Sequence, residues 1–124
     1  MGVKQREEIS PVGLHNTLSV GSTVKGNIVT EGDFRVDGRV EGNIECGAKI
    51  VVGPKGVING NIVSVNAEIM GSVEGNIHTS GILVLKAASM VEGDIFTPTL
   101  EIEPNARFSG VCNMSGKKEN QMKD

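Results

Sequence analysis

The sequence predicts an all-β fold, a single-stranded β-solenoid of about six turns, on three observations. A five-residue phrase, Val-x-Gly-Asn-Ile, recurs along the chain. A second phrase, an apolar pair two residues apart, keeps the same period. Glycine makes up 17 of 124 residues while aromatics are 2%, with no Trp and no Tyr. A core built from small, repeated side chains fits that balance better than one built on aromatic bulk.

The phrase occupies residues 24–28, 40–44, 58–62, 73–77 and 91–95, with a degenerate sixth copy, Phe108-Ser109-Gly110-Val111-Cys112. Its central glycines are Gly26, Gly42, Gly60, Gly75, Gly93 and Gly110, spaced by 16, 18, 15, 18 and 17 residues. The apolar pairs read as Leu18/Val20, Phe34/Val36, Ile50/Val52, Ala67/Ile69, Leu83/Leu85 and Leu100/Ile102. Apolar spacing of two is the mark of a strand. Gly, Asn and Asp punctuate the chain every five or six residues, too often for helices. A unit near 17 residues is too short for helix-pair repeats or propeller blades. It fits one solenoid turn of three short strands and three corners. The Gly-Asn step suits a corner because both residues tolerate positive φ. Whether the glycines form the corner or face inward stays open at this point.

Extra residues fall before the phrase in three repeats, at 53–57, 86–90 and 103–107, with Pro54 and Pro104 inside them. The others are expected to close tightly, as at 20–24. Variation at one corner is what a solenoid permits. Stacking also predicts ladders. Thr30, Cys46, Ser64, Thr79 and Thr97 form one column of small side chains. Val29, Glu45, Val63, His78, Phe96 and Asn113 form a mixed column expected to point outward. Glu41, Glu74, Glu92 and Asp94 are expected at one solvated corner. The organisation is then a flexible N-terminal tail over 1–16, a β-helical polymerisation domain over 17–114, and a flexible C-terminal tail over 115–124.

Net charge is −3 and no basic stripe appears, so nucleic acid is not expected as the main partner. No apolar run approaches the roughly 20 residues that span a bilayer. The polar stretch 1–10 has no apolar segment of a signal peptide, and a cytoplasmic protein is the expectation. Two cysteines 66 positions apart make neither a disulfide framework nor a zinc pattern. Solenoid hydratases need several His ligands on zinc, and only His15 and His78 are present. Solenoid acyltransferases need a positioned His base and a strict six-residue beat, which the uneven turns lack. No catalytic residue, metal or cofactor is expected.

Neither end of the repeat array carries an amphipathic capping segment. Each uncapped end of a solenoid exposes strand edges and apolar side chains, which template pairing. End-to-end homopolymerisation is therefore the expected function. A non-polymerising adaptor that recruits partners through its outer faces is the alternative. Candidate interface residues are Leu18 and Val20 at one end and Phe108, Val111 and Met114 at the other. Phe108 holds the position of Val24, Val40, Ile58, Val73 and Val91, and Cys112 that of the phrase-final Ile. Val29, Val63 and Phe96 are candidates for lateral contact between filaments.

The stretch Phe34-Arg35-Val36-Asp37-Gly38-Arg39-Val40-Glu41-Gly42-Asn43-Ile44, the repeated Val-x-Gly-Asn/Asp-Ile and the ending 105–114 together resemble the bactofilins, bacterial polymer-forming cytoskeletal proteins. The resemblance covers nearly the whole repeat region. It implies a right-handed, triangular β-helix that polymerises end to end without nucleotide into filaments or sheets. It also implies a place at the cytoplasmic face of the inner membrane, with ties to cell shape, cell-wall synthesis and its enzymes, or polar organisation. In that family the N-terminal tail makes the membrane contact. Here Lys4 and Arg6 in that tail are offset by Glu7 and Glu8.

Overall fold

Three strands and three corners repeat six times to build the rod. The structure, a computed structural model, describes residues 16–114. Among them there is no helix, and every strand pairing is parallel. The tails expected over 1–16 and 115–124 lie outside the described residues, except Asn16, which opens the first strand.

Face 1 stacks strands Asn16–Leu18 and Phe34–Val36, the second halves of Ile44–Val52 and Ile62–Ile69, then Ile82–Leu85 and Thr99–Ile102. Face 2 stacks Thr23–Lys25, Arg39–Glu41, Val57–Asn59, Ser72–Glu74, Met90–Glu92 and Arg107–Ser109. Face 3 stacks Ile28–Thr30, the first halves of Ile44–Val52 and Ile62–Ile69, then Ile77–Thr79, Ile95–Phe96 and Cys112–Asn113. At about 4.8 Å per turn the six layers span roughly 29 Å.

Alternation along each strand sends one set of side chains to the axis. Val40, Ile58 and Val91 stack from face 2, and Ile44, Ile62, Ile77 and Ile95 from face 3, all fully buried. Val36, Val52, Ile69 and Leu85 do the same from face 1. β-Branched side chains suit both the strand backbone and this narrow axis. Each contributes about 1.5–3 kcal/mol by leaving water. The column of small side chains is also buried at Cys46, Ser64, Thr79 and Thr97. Thr79 Oγ1 donates to Thr97 Oγ1, and Thr97 Oγ1 also lies 2.9 Å from the Thr99 carbonyl. The Thr79 and Thr97 hydroxyls are thus satisfied, whereas the buried Ser64 hydroxyl has no partner among the described residues.

The corner between faces 2 and 3 settles the role of the glycines. All six repeat glycines take positive φ, between 136° and 154°. A Cβ on Gly42 would lie 2.0 Å from the Gly26 carbonyl oxygen, and one on Gly60 equally close to that of Gly42. The glycines form the corner, and the turns below leave no room for a side chain.

The first turn departs from the sequence reading. Leu18 pairs with Val36, not Phe34, and Asn16 takes the position opposite Phe34. Val20 is therefore not the second member of a core pair. It sits in a turn closed by the Ser22 N–H on the Ser19 carbonyl, and it is 62% exposed. The corner at residues 19–22 is consequently a long one, matching 53–56, 86–89 and 103–106. Four repeats, not three, carry the longer corner. An i, i+2 apolar pair looks the same whether its second member ends a strand or opens a turn. The polar Asn16 hides the true pair.

Candidate assembly surfaces

The most regular polar feature is a ladder at the glycine corner. Asn43 N–H donates to Asn27 Oδ1 at 3.0 Å, Asn61 N–H to Asn43 Oδ1 at 2.9 Å, and Asn76 N–H to Asn61 Oδ1 at 2.9 Å. Asp94 N–H continues it to Asn76 Oδ1 at 3.0 Å. Val111 N–H ends it on Asp94 Oδ1 at 3.2 Å. Asn does not stand here for its tolerance of positive φ, because only the preceding glycine has it. Its carboxamide satisfies the backbone donor of the turn above. Asp94 belongs to this ladder and not to the acidic column. Glu41, Glu74 and Glu92 line up on the outer side of face 2, interrupted by Asn59. Arg39 pairs with Glu41 at 2.9 Å.

Among the described residues the ladders stop at both ends of the rod. In the first turn Leu18, Val24 and Ile28 point to the axis and are half-buried, while Asn16 donates through Nδ2 to Thr30 Oγ1 at 2.7 Å. In the last turn Leu100, Phe108 and Cys112 point to the axis and are half-buried, and Ile102 and Met114 are about half exposed. Phe108 stacks on Val91 and Cys112 on Ile95. Partial burial pushes the Cys112 thiol upward, so this sulfur behaves as a small apolar group. Val111 is exposed at the open end of the asparagine ladder.

The backbone is interrupted in the same way. The N–H groups of Gly26, Gly42, Gly60, Gly75 and Gly93 each donate to a carbonyl of the following turn. The carbonyls of Leu18, Val36, Val52, Ile69 and Leu85 each accept from it. Among the described residues, Gly110 and Ile102 stand at these positions with no following turn to pair with. Of the candidate interface residues, Leu18 and Phe108 therefore lie on the terminal faces and Val111 and Met114 beside the last one, with Val20 displaced to a corner. Leu100, Ile102 and Cys112 belong on that surface as well. The two-residue spacing and the final Val-x-Gly copy already placed them in core columns.

The outward column is as the sequence predicts: Val29, Glu45, Val63, His78, Phe96 and Asn113 follow one another across face 3. His78 stacks on Phe96 with ring centroids 4.4 Å apart. Among the described residues no three His, Cys, Asp or Glu side chains lie close enough to hold a metal ion. No helix among them is long and apolar enough to cross a membrane.

These features define a class: a parallel β-solenoid with continuous ladders that run out, among the described residues, at its two terminal turns. A protein-family model, Bactofilin, described as polymer-forming cytoskeletal, matches residues 16–113. The chain belongs to the bactofilin family, and it is a polymer-forming cytoskeletal protein. Neither the curated proteins nor the solved structures contain a match to it.

Proposed function

We propose that the chain assembles end to end, without nucleotide, into filaments that act as a structural scaffold in bacteria. The observation that carries this reading is the interruption of every ladder, among the described residues, at the terminal turns. Apolar columns buried in the middle surface at Leu18 and Phe108, and strand edges run out beside them. A second copy supplies what the next turn would have supplied. Each 100 Å² of apolar surface closed at a junction is worth about 2.5 kcal/mol, and strand pairing adds to it.

Family membership supports the cytoplasmic face of the inner membrane as the site of assembly, through the N-terminal tail. It equally supports cell-wall enzymes as clients and a role in cell shape or polar organisation. The role is structural and not catalytic.

Electron microscopy and sedimentation of the purified full chain, without nucleotide or divalent metal, test the reading. Filaments that pellet at high speed are the expected result. Solitary rods at every concentration and salt would overturn it and favour a non-polymerising adaptor.

A further inference from the structure

The three outer faces of the rod differ in charge. Face 1 points Thr17, Arg35, Val51, Glu68, Val84 and Glu101 outward, and half of these are charged. Face 2 carries Lys25, Arg39, Glu41, Glu74, Glu92 and Arg107 on its outer side. On face 3, Glu45 is the one Asp, Glu, Lys or Arg in the outward column. Val29 there is 75% exposed and Val63 47%. Val65 adds to the patch from the adjoining corner, and the stacked rings of His78 and Phe96 extend it.

Shape singles out the same face. The four long corners all lie between faces 1 and 2, so their turns stand up along the opposite edge of the rod. Face 3 is bordered by the two-residue glycine corner and by short connections. Its register runs unbroken from Ile28 to Cys112. Among the described residues it is a sheet with exposed valines and no protruding loop.

We infer that face 3 is the lateral contact between filaments, and that its partner is face 3 of copies of this chain in a neighbouring filament. Area selects this occupant. A strip about 10 Å wide and about 29 Å long offers roughly 300 Å² per subunit. Stable pairs bury roughly 800 Å² per partner, so two free subunits do not hold together through this face. Subunits stacked with their sheets continued face onto face present the strip in a row, and the weak contacts then add along the filament. Lateral association thus follows from end-to-end assembly and rests on the function proposed above. Buried Glu45 side chains oppose the contact, which keeps it weak per subunit.

The test compares three full-length proteins. Wild type is expected to form paired or bundled filaments that pellet at low speed. Val29→Lys combined with Val63→Lys, both outward substitutions, is expected to give single filaments. These still pellet at high speed, with the low-speed pellet reduced about tenfold or more as the summed contacts are lost. Ser72→Lys combined with Met90→Lys places the same charge on face 2 and is expected to bundle like wild type. Filaments of the lysine variant mixed with filaments of Val29→Glu, Val63→Glu are expected to bundle again.

Wild-type filaments that stay single overturn the lateral inference alone, and wild type without filaments overturns the end-to-end reading with it. Unchanged bundling in the face 3 variant, equal loss in the face 2 variant, or no recovery on mixing each overturns face 3 as the contact.

Discussion

A middle turn and a terminal turn of this rod are built from the same repeat, yet the same positions do different work. Ile58 in the third turn is fully buried between Val40 and Val73. Phe108 in the last turn has Val91 on one side and, among the described residues, nothing on the other. In the middle, the column holds the fold together. At the end, it is available to another molecule. Folding and assembly therefore draw on one interaction, and the repeat position decides which of the two a substitution damages.

The glycines give the largest contrast. Gly60→Ala puts a Cβ within 2.0 Å of a backbone oxygen at a residue with φ 154°. It is expected to cost more than about 3 kcal/mol, because neither the backbone below nor the φ can give. Gly26→Ala, with φ 136° but no atom within 4 Å of the new Cβ, is expected to cost about 1–2 kcal/mol from conformation alone. Thermal denaturation followed by circular dichroism separates them, and equal losses would break the contrast between middle and end.

Next in size is the apolar column itself. Ile58→Ala is expected to lower stability by about 2–5 kcal/mol through the cavity it leaves. Phe108→Arg is expected to leave a folded protein that sediments as a small species and melts below the wild-type polymer, because it loses the packing on Val91 and the stabilisation that assembly adds. Polymer persisting in that variant would remove Phe108 from the junction.

The ladder is a smaller lever. Asn61→Ala leaves Asn76 N–H without its 2.9 Å acceptor, at an expected cost of about 1 kcal/mol. Faster amide exchange at Asn76, with little change at Val111, is the local signature.

The smallest effect concerns pH. The Ala87 N–H and Lys86 hold the Glu103 carboxyl below its ordinary range. A depressed carboxylate stabilises the fold above its unfolded value, and that contribution is lost as pH falls through the folded one. The pair is solvent-exposed, so acidification through this range is expected to loosen only the long corner at 86–89. Amide exchange at Ala87 reads it, and a global loss of stability with Glu103→Gln would contradict it.

Much of this architecture is legible in the residues because a solenoid repeats its constraints. Ile28, Ile44, Ile62, Ile77, Ile95 and Cys112 fall in one column simply because the phrase recurs. Phe108 is recognisable as an oversized member of another column for the same reason. What stayed hidden depends on contacts between turns. The asparagine ladder is a side chain satisfying a donor some 16 residues away, and a positive-φ preference gives the same Gly-Asn spelling. The first turn is out of phase because Asn16 substitutes a polar contact with Thr30 for an apolar one. The lateral candidates Val29, Val63 and Phe96 were legible as an outward column. Only the position of the long corners shows that, among the described residues, no turn stands in front of them.

Those corners also mark the rod with a seam. Because the turns at 19–22, 53–56, 86–89 and 103–106 crest along one edge, the cross-section has a keel, and a viewer could tell how each subunit is rolled about its long axis. A tag or fluorophore spliced between Pro54 and Lys55, both exposed, would ride on that keel and report the roll of every unit in the chain.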